Sequence, residues 1–205
     1  MRHPIKRFIA ALIVFTTASV ALSGQQVPPA QGGGGRGRGP AGPPLTFSSS
    51  ALVDLQMLPA KYGCAATPAN VSPPLAWANA PAATQSFAVL VQDLEPRPMR
   101  GVQPFPHWFI WNIPATATSL PEAIPHVAEL PDGSRQSPAA AGNLGTIAFR
   151  SPCPPAPQLH HYVFDLFALD TKLDALASGA TRDDLNTAMA GHVIGHAVMV
   201  IPFKQ

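Results

Sequence analysis

Residues 162–169 read YVFDLFAL, one of several short apolar runs in this chain of 205 residues. The other runs are SFAVLVQ at 86–92, WFIWNI at 108–113, TIAF at 146–149 and HAVMVI at 196–201. They have the length of strands, are rich in Val, Ile and Phe, and are bounded by Pro, Gly, Asn and Asp, which favours β-strands over helices. The near-continuous apolar character of 86–92 and 162–169 predicts strands that are covered on both faces. We therefore expect a mainly β protein, an all-β sandwich.

The segment TRDDLNTAMAGHVIGH at 181–196 predicts one α-helix. Thr181 followed three residues later by Asp184 is a helix-start signature. Apolar and other packing residues then recur at spacings of three and four, which places them on one face against the sheets; they are Leu185, Ala188, Met189 and His192. A second, shorter helix is expected at 173–177, so the sandwich would carry one or two peripheral helices.

The first 44 residues differ from the rest in composition. Residues 1–24 are typical of a secretory signal peptide, because basic residues precede an apolar run at 8–22 that small residues follow. That run is shorter than the ~20 strongly apolar residues of a membrane-spanning helix. Residues 25–44, rich in Gly and Pro, predict a flexible linker. We expect a periplasmic or secreted protein, without stable membrane insertion after cleavage, whose folded domain spans 45–205.

The distribution of charge excludes a nucleic-acid partner. Of the 13 Lys and Arg residues, five precede residue 45, which leaves eight basic against eleven acidic residues in the domain. A nucleic-acid-binding protein needs a basic stripe that displaces counterions from phosphates, and the sequence of this domain contains none.

Polar residues suited to chemistry stand at the ends of the predicted strands. Asp93 follows the run at 86–92, His107 precedes the run at 108–113, and His160 and Tyr162 open the run at 162–169. Side chains at the rim of a sandwich can converge on one pocket. Imidazole, hydroxyl and backbone N–H groups donate to anions, and a carboxylate can fix the tautomer of a histidine. The stiff SPCPP loop at 151–155 adds backbone N–H groups beside them.

The sequence thus predicts a site for a small phosphate-like or carboxylate anion. Its expected ligand-binding residues are Asp93, His107, Cys153, His160 and Tyr162. The three tryptophans are expected in the core, although Trp108 follows His107 and is also a candidate for the wall of this pocket. Cys64 and Cys153 could form a disulfide in an exported chain or remain two buried thiols, and the sequence leaves both possibilities open.

The competing hypothesis is a metal-assisted or cysteine hydrolase. His192 and His196 are four residues apart on the predicted helix, a spacing that zinc hydrolases use, but HVIGH lacks the glutamate that would act as base. Cys153 lies between prolines and has no evident activating helix terminus. We therefore expect a non-enzymatic protein with no catalytic residue, no metal and no cofactor.

Several motifs occur together and in a family's order. They are LPAKYGC at 58–64, NVSPPLAW at 70–77, SFAVLVQD at 86–93, His107 to Pro114, SPCPP at 151–155, HHYVFDLFALD at 160–170 and GATRDDLNTAMAGHV at 179–193. This set resembles the phosphatidylethanolamine-binding protein family, and is most similar to its bacterial, Raf-kinase-inhibitor-like branch. The resemblance implies a Greek-key β-sandwich with an anion pocket at one end. It also implies binding of phosphate-bearing head groups or inhibition of other proteins. A second hypothesis is therefore an inhibitory protein whose loop at 95–105 inserts into an enzyme such as a protease or kinase.

The resemblance assigns positions as well. Asp93 and Glu95 fall on the two acids of the family's D-P-D-x-P motif, His107 on its pocket histidine, and His160 and Tyr162 on its G-x-H-R-Y motif. The chain departs from the family pattern at Leu94 in place of Pro, Glu95 in place of Asp, Ser151 in place of Gly, His161 in place of Arg, and at its C-terminal IPFKQ, which lacks the expected tyrosine. His161 replaces a fixed positive charge by a titratable one.

Overall fold

The predicted run at 86–92 forms the central strand of the larger of two sheets. The structure is a computed structural model that describes residues 42–95, 104–137 and 148–205. The predicted signal peptide and most of the predicted linker lie outside the described residues, as does most of 95–105. The described residues belong to one compact unit. Among the described residues, no helix combines the length and apolar character that a membrane crossing requires.

Two antiparallel sheets form the sandwich. The larger sheet contains, in spatial order, β6 (Arg135–Ser137), β4 (Phe105–Pro114), β3 (Ser86–Asp93), β7 (His160–Leu169) and β8 (Val193–Phe203). The smaller sheet contains β1 (Thr46–Ser48), β2 (Leu75–Ala78) and β5 (Ser119–Leu120). One α-helix, α1 (Arg182–Met189), and a short 3-10 helix (Ala60–Tyr62) complete the described elements. The predicted mainly β sandwich with peripheral helical structure is confirmed.

The core explains why β3 is apolar on both faces. Alternate residues such as Val89 belong to the cluster that includes Trp77 of the smaller sheet, whereas Leu90 belongs to a second cluster with Leu185 of α1. For β7 the prediction of two covered faces is wrong. From His160 to Phe167 its residues alternate between buried and half-buried. Helix α1 packs on the outer face of β3 and β4 and leaves part of the outer face of β7 accessible to solvent.

Helix α1 starts as predicted and ends earlier than predicted. Thr181 is the N-cap and forms a reciprocal capping box with Asp184. The helix stops at Met189, and Gly191 adopts φ +83° in the turn that leads into β8. His192 lies in that turn and His196 in β8, so the expectation that both histidines share a helix is wrong.

Two further expectations about secondary structure are also wrong. Residues 173–177 form turns rather than a helix, with the Leu176 N–H donating to the Leu173 carbonyl. Residues 148–150 are not in a strand, and Ala148 has φ +86°, a conformation that no regular strand contains. The remainder of the predicted strand at 146–149 lies outside the described residues.

A disulfide joins the loop after the 3-10 helix to the loop before β7. Cys64 and Cys153 are bonded across 89 residues of sequence, with their Cα atoms 5.3 Å apart. The Cys64 N–H also donates to the Pro152 carbonyl at 3.0 Å. This finding decides between the two states that the sequence left open, and it removes the thiol that a cysteine hydrolase would need at Cys153.

Gly63 leaves room for the ring of Phe203, which pairs with His160 across β7 and β8. A Cβ at this position would lie 2.6 Å from Phe203 Cζ, although the backbone of Gly63 (φ −78°) is open to any residue. We therefore expect Gly63→Ala to lower the free energy of unfolding by about 1–3 kcal/mol through overpacking, measured by denaturant unfolding. Gly179→Ala is the matched control, because its Cβ would meet no atom within 4 Å. Equal stability of the two variants would contradict the packing that we describe.

Candidate functional site

Three strands that are distant in sequence bring their polar ends together at one end of the larger sheet. Asp93, the last residue of β3, pairs with Phe105 at the start of β4 and with Tyr162 near the start of β7. A bulge in the pairing of β3 with β4 makes His107 the extra residue. The predicted site residues Asp93, His107, His160 and Tyr162 are therefore neighbours in space, and we call this end of the sandwich the rim site.

The innermost contact of the rim site is a hydrogen bond between Asp93 and His160. Asp93 Oδ2 lies 2.7 Å from His160 Nδ1, and the two residues are only 1% and 3% exposed. The other carboxylate oxygen, Oδ1, accepts the backbone N–H of Glu95 at 3.0 Å. Burial raises the pKa of Asp93 above its usual value, and the hydrogen bond from His160 offsets this only in part.

His107 is oriented by the backbone of the loop before β7. Its Nδ1 lies 2.9 Å from the carbonyl oxygen of Arg150, and because a carbonyl only accepts, Nδ1 must carry the proton. The Arg150 N–H in turn donates to the His107 carbonyl at 2.9 Å. Two hydrogen bonds with the backbone of Arg150 thus hold the loop against β4. The one to Nδ1 also fixes the tautomer of the neutral imidazole.

Tyr162 joins the two histidines. Its buried ring meets the His107 ring edge-on with 5.0 Å between centroids, and it stacks more loosely on the His160 ring at 6.5 Å. Trp108, the candidate pocket wall, is instead fully buried, donates from Nε1 to Gln136 Oε1 and packs edge-on against Phe149. It belongs to the core.

Arg150 was not among the predicted site residues, and it brings a fixed positive charge next to Phe105, the first residue of β4. Its guanidinium lies over the Phe105 ring, 5.5 Å from the centroid, and that ring lies 5.2 Å from the ring of His107. Its position directly before the SPCPP loop could have indicated a site residue, but that loop was interpreted only as a stiff segment that supplies backbone N–H donors. Gln158, from the same loop, was missed as well; its Oε1 lies 3.3 Å from His160 Nε2.

Two departures from the family pattern are in contact with each other. Glu95 Oε1 lies 2.6 Å from His161 Nδ1, and Oε2 accepts the His161 backbone N–H at 2.6 Å. Burial alone would raise the pKa of Glu95, but these hydrogen bonds outweigh it and hold the pKa below its usual value. The side chains at these two positions therefore contact each other directly across β3 and β7.

The remaining departure in this region, Ser151, is fixed by reciprocal hydrogen bonds. Its N–H donates to Asn70 Oδ1 at 3.0 Å, and its Oγ accepts the Asn70 N–H at 2.9 Å. Cys153, the fifth predicted site residue, is held in the disulfide next to this contact, and its role as a ligand contact stays a prediction. At the C-terminus, Gln205 donates to the Pro154 carbonyl at 2.6 Å.

Among the residues that the structure describes, one group of potential metal ligands overlaps the rim site. Ligand atoms of Asp93, Glu95 and His160 lie within 4.8 Å of one another. Both oxygens of each carboxylate already accept a hydrogen bond or face a histidine Nδ1 within the site, so we assign no metal to this group.

The zinc hydrolase hypothesis was based on His192 and His196. Each of these histidines contacts an aspartate at the protein surface. His192 Nδ1 lies 2.8 Å from Asp170 Oδ1, and His196 Nε2 lies 2.8 Å from Asp165 Oδ1. The spacing of four residues on one helix face, which motivated that alternative, does not occur in the structure.

The fold and the rim site define a β-sandwich whose end carries a buried carboxylate, two histidines and a tyrosine. Residues 48–204 match the family model described as phosphatidylethanolamine-binding protein, and the chain belongs to this family. Among curated relatives, a UPF0098 protein from Methanothermobacter thermautotrophicus is 39% identical over 161 residues, which are 78% of this chain and 99% of that protein.

Solved structures of bacterial proteins show the same fold. YbcL from Escherichia coli, described as a member of the mammalian family, has a TM-score of 0.66 at 26% identity and covers 78% of this chain and 98% of its own. A protein from Chlamydia trachomatis, described as a phosphatidylethanolamine-binding protein homologue, has a TM-score of 0.67 at 27% identity, with 79% and 98% coverage. The family predicted from the motifs is thereby confirmed.

The hydrogen bond between Glu95 and His161 predicts a measurable change in the pKa of Glu95. In His161→Ala the backbone N–H still donates to Glu95, but the ring that stabilises the ionised carboxylate is lost. The pKa of Glu95 should therefore rise toward its usual value, as followed by carbon NMR of the carboxyl group during a pH titration. His196→Ala, which removes a ring bonded to Asp165, should leave the pKa of Glu95 unchanged. An unchanged Glu95 pKa in His161→Ala would refute the pairing.

Proposed function

We propose that this protein is an exported, non-enzymatic binding protein whose rim site holds a small oxyanion, a phosphate-like or carboxylate group. The observation that carries the proposal is the convergence of His107, His160 and Tyr162, with the Arg150 guanidinium over the Phe105 ring that borders His107. These groups supply ring nitrogens, a hydroxyl and a guanidinium, which are the side chains that recognise oxyanions in proteins.

The family name supports the same ligand chemistry, since a phosphatidylethanolamine head group carries a phosphate. Export is supported by the sequence of residues 1–24, which has the charge and apolar pattern of a signal peptide. Inhibition of a protease or kinase through residues 95–105 stays a prediction, because most of that segment lies outside the described residues.

The rigid setting of the site favours binding without reorganisation. Asp93 holds the ring of His160, and the Arg150 carbonyl holds the ring of His107, so neither imidazole needs to be ordered when an anion arrives. Groups that are fixed in advance lose less conformational entropy on binding, which raises the affinity for a small ligand.

The proposal is tested by titrating inorganic phosphate, phosphoethanolamine and acetate against the protein at pH 6 by calorimetry. His160→Ala should bind each anion at least tenfold more weakly, which corresponds to the loss of about one charge-assisted contact. Tyr162→Phe keeps the aromatic packing and should weaken binding by roughly two- to tenfold, because it removes one hydroxyl donor.

His192→Ala is the matched control, since it removes a histidine that also faces an aspartate but lies outside the rim site. It should bind as the parent does. Unfolding curves of all variants establish that they are folded at the temperature of the titration. Binding of equal strength in the parent, His160→Ala and Tyr162→Phe would place the anion elsewhere and overturn the proposal.

A further inference from the structure

We infer that the disulfide between Cys64 and Cys153 positions the rim site, so that the affinity of the protein for its anion depends on the redox state of these two cysteines. The inference rests on the proposed function and adds a control of the same site by a dithiol reductant. It follows from the place of the crosslink, which joins two segments that both contact the surroundings of the site histidines.

The loop before β7, residues 148–159, contacts both site histidines. The Arg150 carbonyl oxygen lies 2.9 Å from His107 Nδ1, and the Arg150 N–H donates to the His107 carbonyl at 2.9 Å. The side-chain oxygen of Gln158 lies 3.3 Å from His160 Nε2. Residues 148–159 form neither a helix nor a strand, so no ladder of hydrogen bonds fixes them. The position of the loop therefore depends on the individual contacts that tie it to the domain.

The disulfide is a covalent contact of this loop, and it lies between the two contacts with the site. Cys153 follows Arg150 and precedes Gln158 in the chain. Its partner Cys64 lies with its Cα atom 5.3 Å away, and the Cys64 N–H donates to the Pro152 carbonyl at 3.0 Å. Cleavage of the S–S bond therefore releases the loop at a point from which both site contacts extend.

The segment on the other side of the crosslink also borders the site. Gly63, directly before Cys64, is packed against the ring of Phe203, since a Cβ at this position would lie 2.6 Å from Phe203 Cζ. Phe203 pairs with His160 across β7 and β8. The disulfide thus joins a loop that contacts both histidines to a segment that packs beside the strand of one of them.

Hydrogen bonds still tie the described part of the loop after the disulfide is cleaved. They are the contact of Cys64 with Pro152, the reciprocal pair of Ser151 and Asn70, and the donation from Gln205 to the Pro154 carbonyl. Each of these bonds exchanges with bonds to water at little net cost, whereas a disulfide limits the separation of the two segments in every conformation. The reduced loop should therefore sample a wider range of positions than the oxidised one.

The disulfide is open to a small dithiol, because Cys64 and Cys153 are both half-buried. One thiolate of the dithiol attacks a cysteine sulfur and forms a mixed disulfide, which the second thiol then displaces. The dithiol is oxidised to its cyclic disulfide, and each cysteine gains one electron and one proton. The oxidised and reduced proteins then differ in how firmly the imidazoles are held, and hence in the entropy that is lost when an anion binds.

Calorimetric titration of inorganic phosphate at pH 6 tests the inference. The oxidised protein is compared with protein that was reduced beforehand with dithiothreitol and kept free of oxygen. We expect the reduced protein to bind phosphate roughly tenfold more weakly, because two imidazoles must then be ordered on binding. Reoxidation should restore the affinity. The double variant Cys64→Ser, Cys153→Ser should bind as the reduced protein does and should not respond to dithiothreitol.

Two controls separate positioning from a general loss of stability. Leu185→Ala opens the core cluster beneath α1, outside the rim site, and should lower the free energy of unfolding without changing the affinity for phosphate. Diiodomethane joins the two reduced sulfurs through one methylene group, with release of two iodide ions and two protons. This tie resists the dithiol and should restore the affinity in its presence. Unfolding curves establish that each form is folded at the temperature of the titration.

If reduction unfolds the protein, Asn70→Gly in the oxidised protein decides instead. It removes the oxygen that accepts the Ser151 N–H, and glycine suits the φ of +63° at this position. This looser loop should weaken phosphate binding roughly two- to fivefold, and an affinity equal to that of the parent would overturn the inference.

Equal phosphate affinity of the folded oxidised and reduced proteins would likewise overturn the inference but leave the proposed function standing. Failure of the oxidised protein to bind phosphate would instead contradict the proposed function, and the inference with it.

Discussion

The hydrogen bond between Asp93 and His160 is the constraint on which the rim site depends. It joins the end of β3 to the start of β7. Both partners are almost fully buried, so that water does not compete for the hydrogen bond. The pairing of Asp93 with Tyr162 in the ladder between β3 and β7 holds the ends of the two strands beside each other. The polar site thus inherits its geometry from the pairing of these strands.

Much of this arrangement could be predicted from the sequence. The lengths and composition of the apolar runs indicated strands, and the placement of Asp93, His107 and His160 at strand ends indicated a common rim. The capping signature at Thr181 located the start of α1. These features are local, or they follow from one rule of sheet geometry, and so they can be read without knowledge of tertiary contacts.

What could not be predicted depends on contacts between distant segments. The helical spacing of His192 and His196 was misleading because α1 ends at Met189, before either histidine, and Gly191 turns the chain into β8. The disulfide depended on a Cα distance, and the role of Arg150 depended on a loop that folds back onto β4. Glu95 and His161 were described as separate departures from the family pattern, whereas the structure shows that their side chains contact each other.

The most direct test of the site's central feature is the position of the proton on His160. Nitrogen NMR of the ring at pH 8, with the signal assigned by its absence in His160→Ala, distinguishes a protonated from a bare ring nitrogen. The structure requires a proton on Nδ1, toward Asp93 Oδ2. A bare Nδ1 would contradict the hydrogen bond on which the site is built.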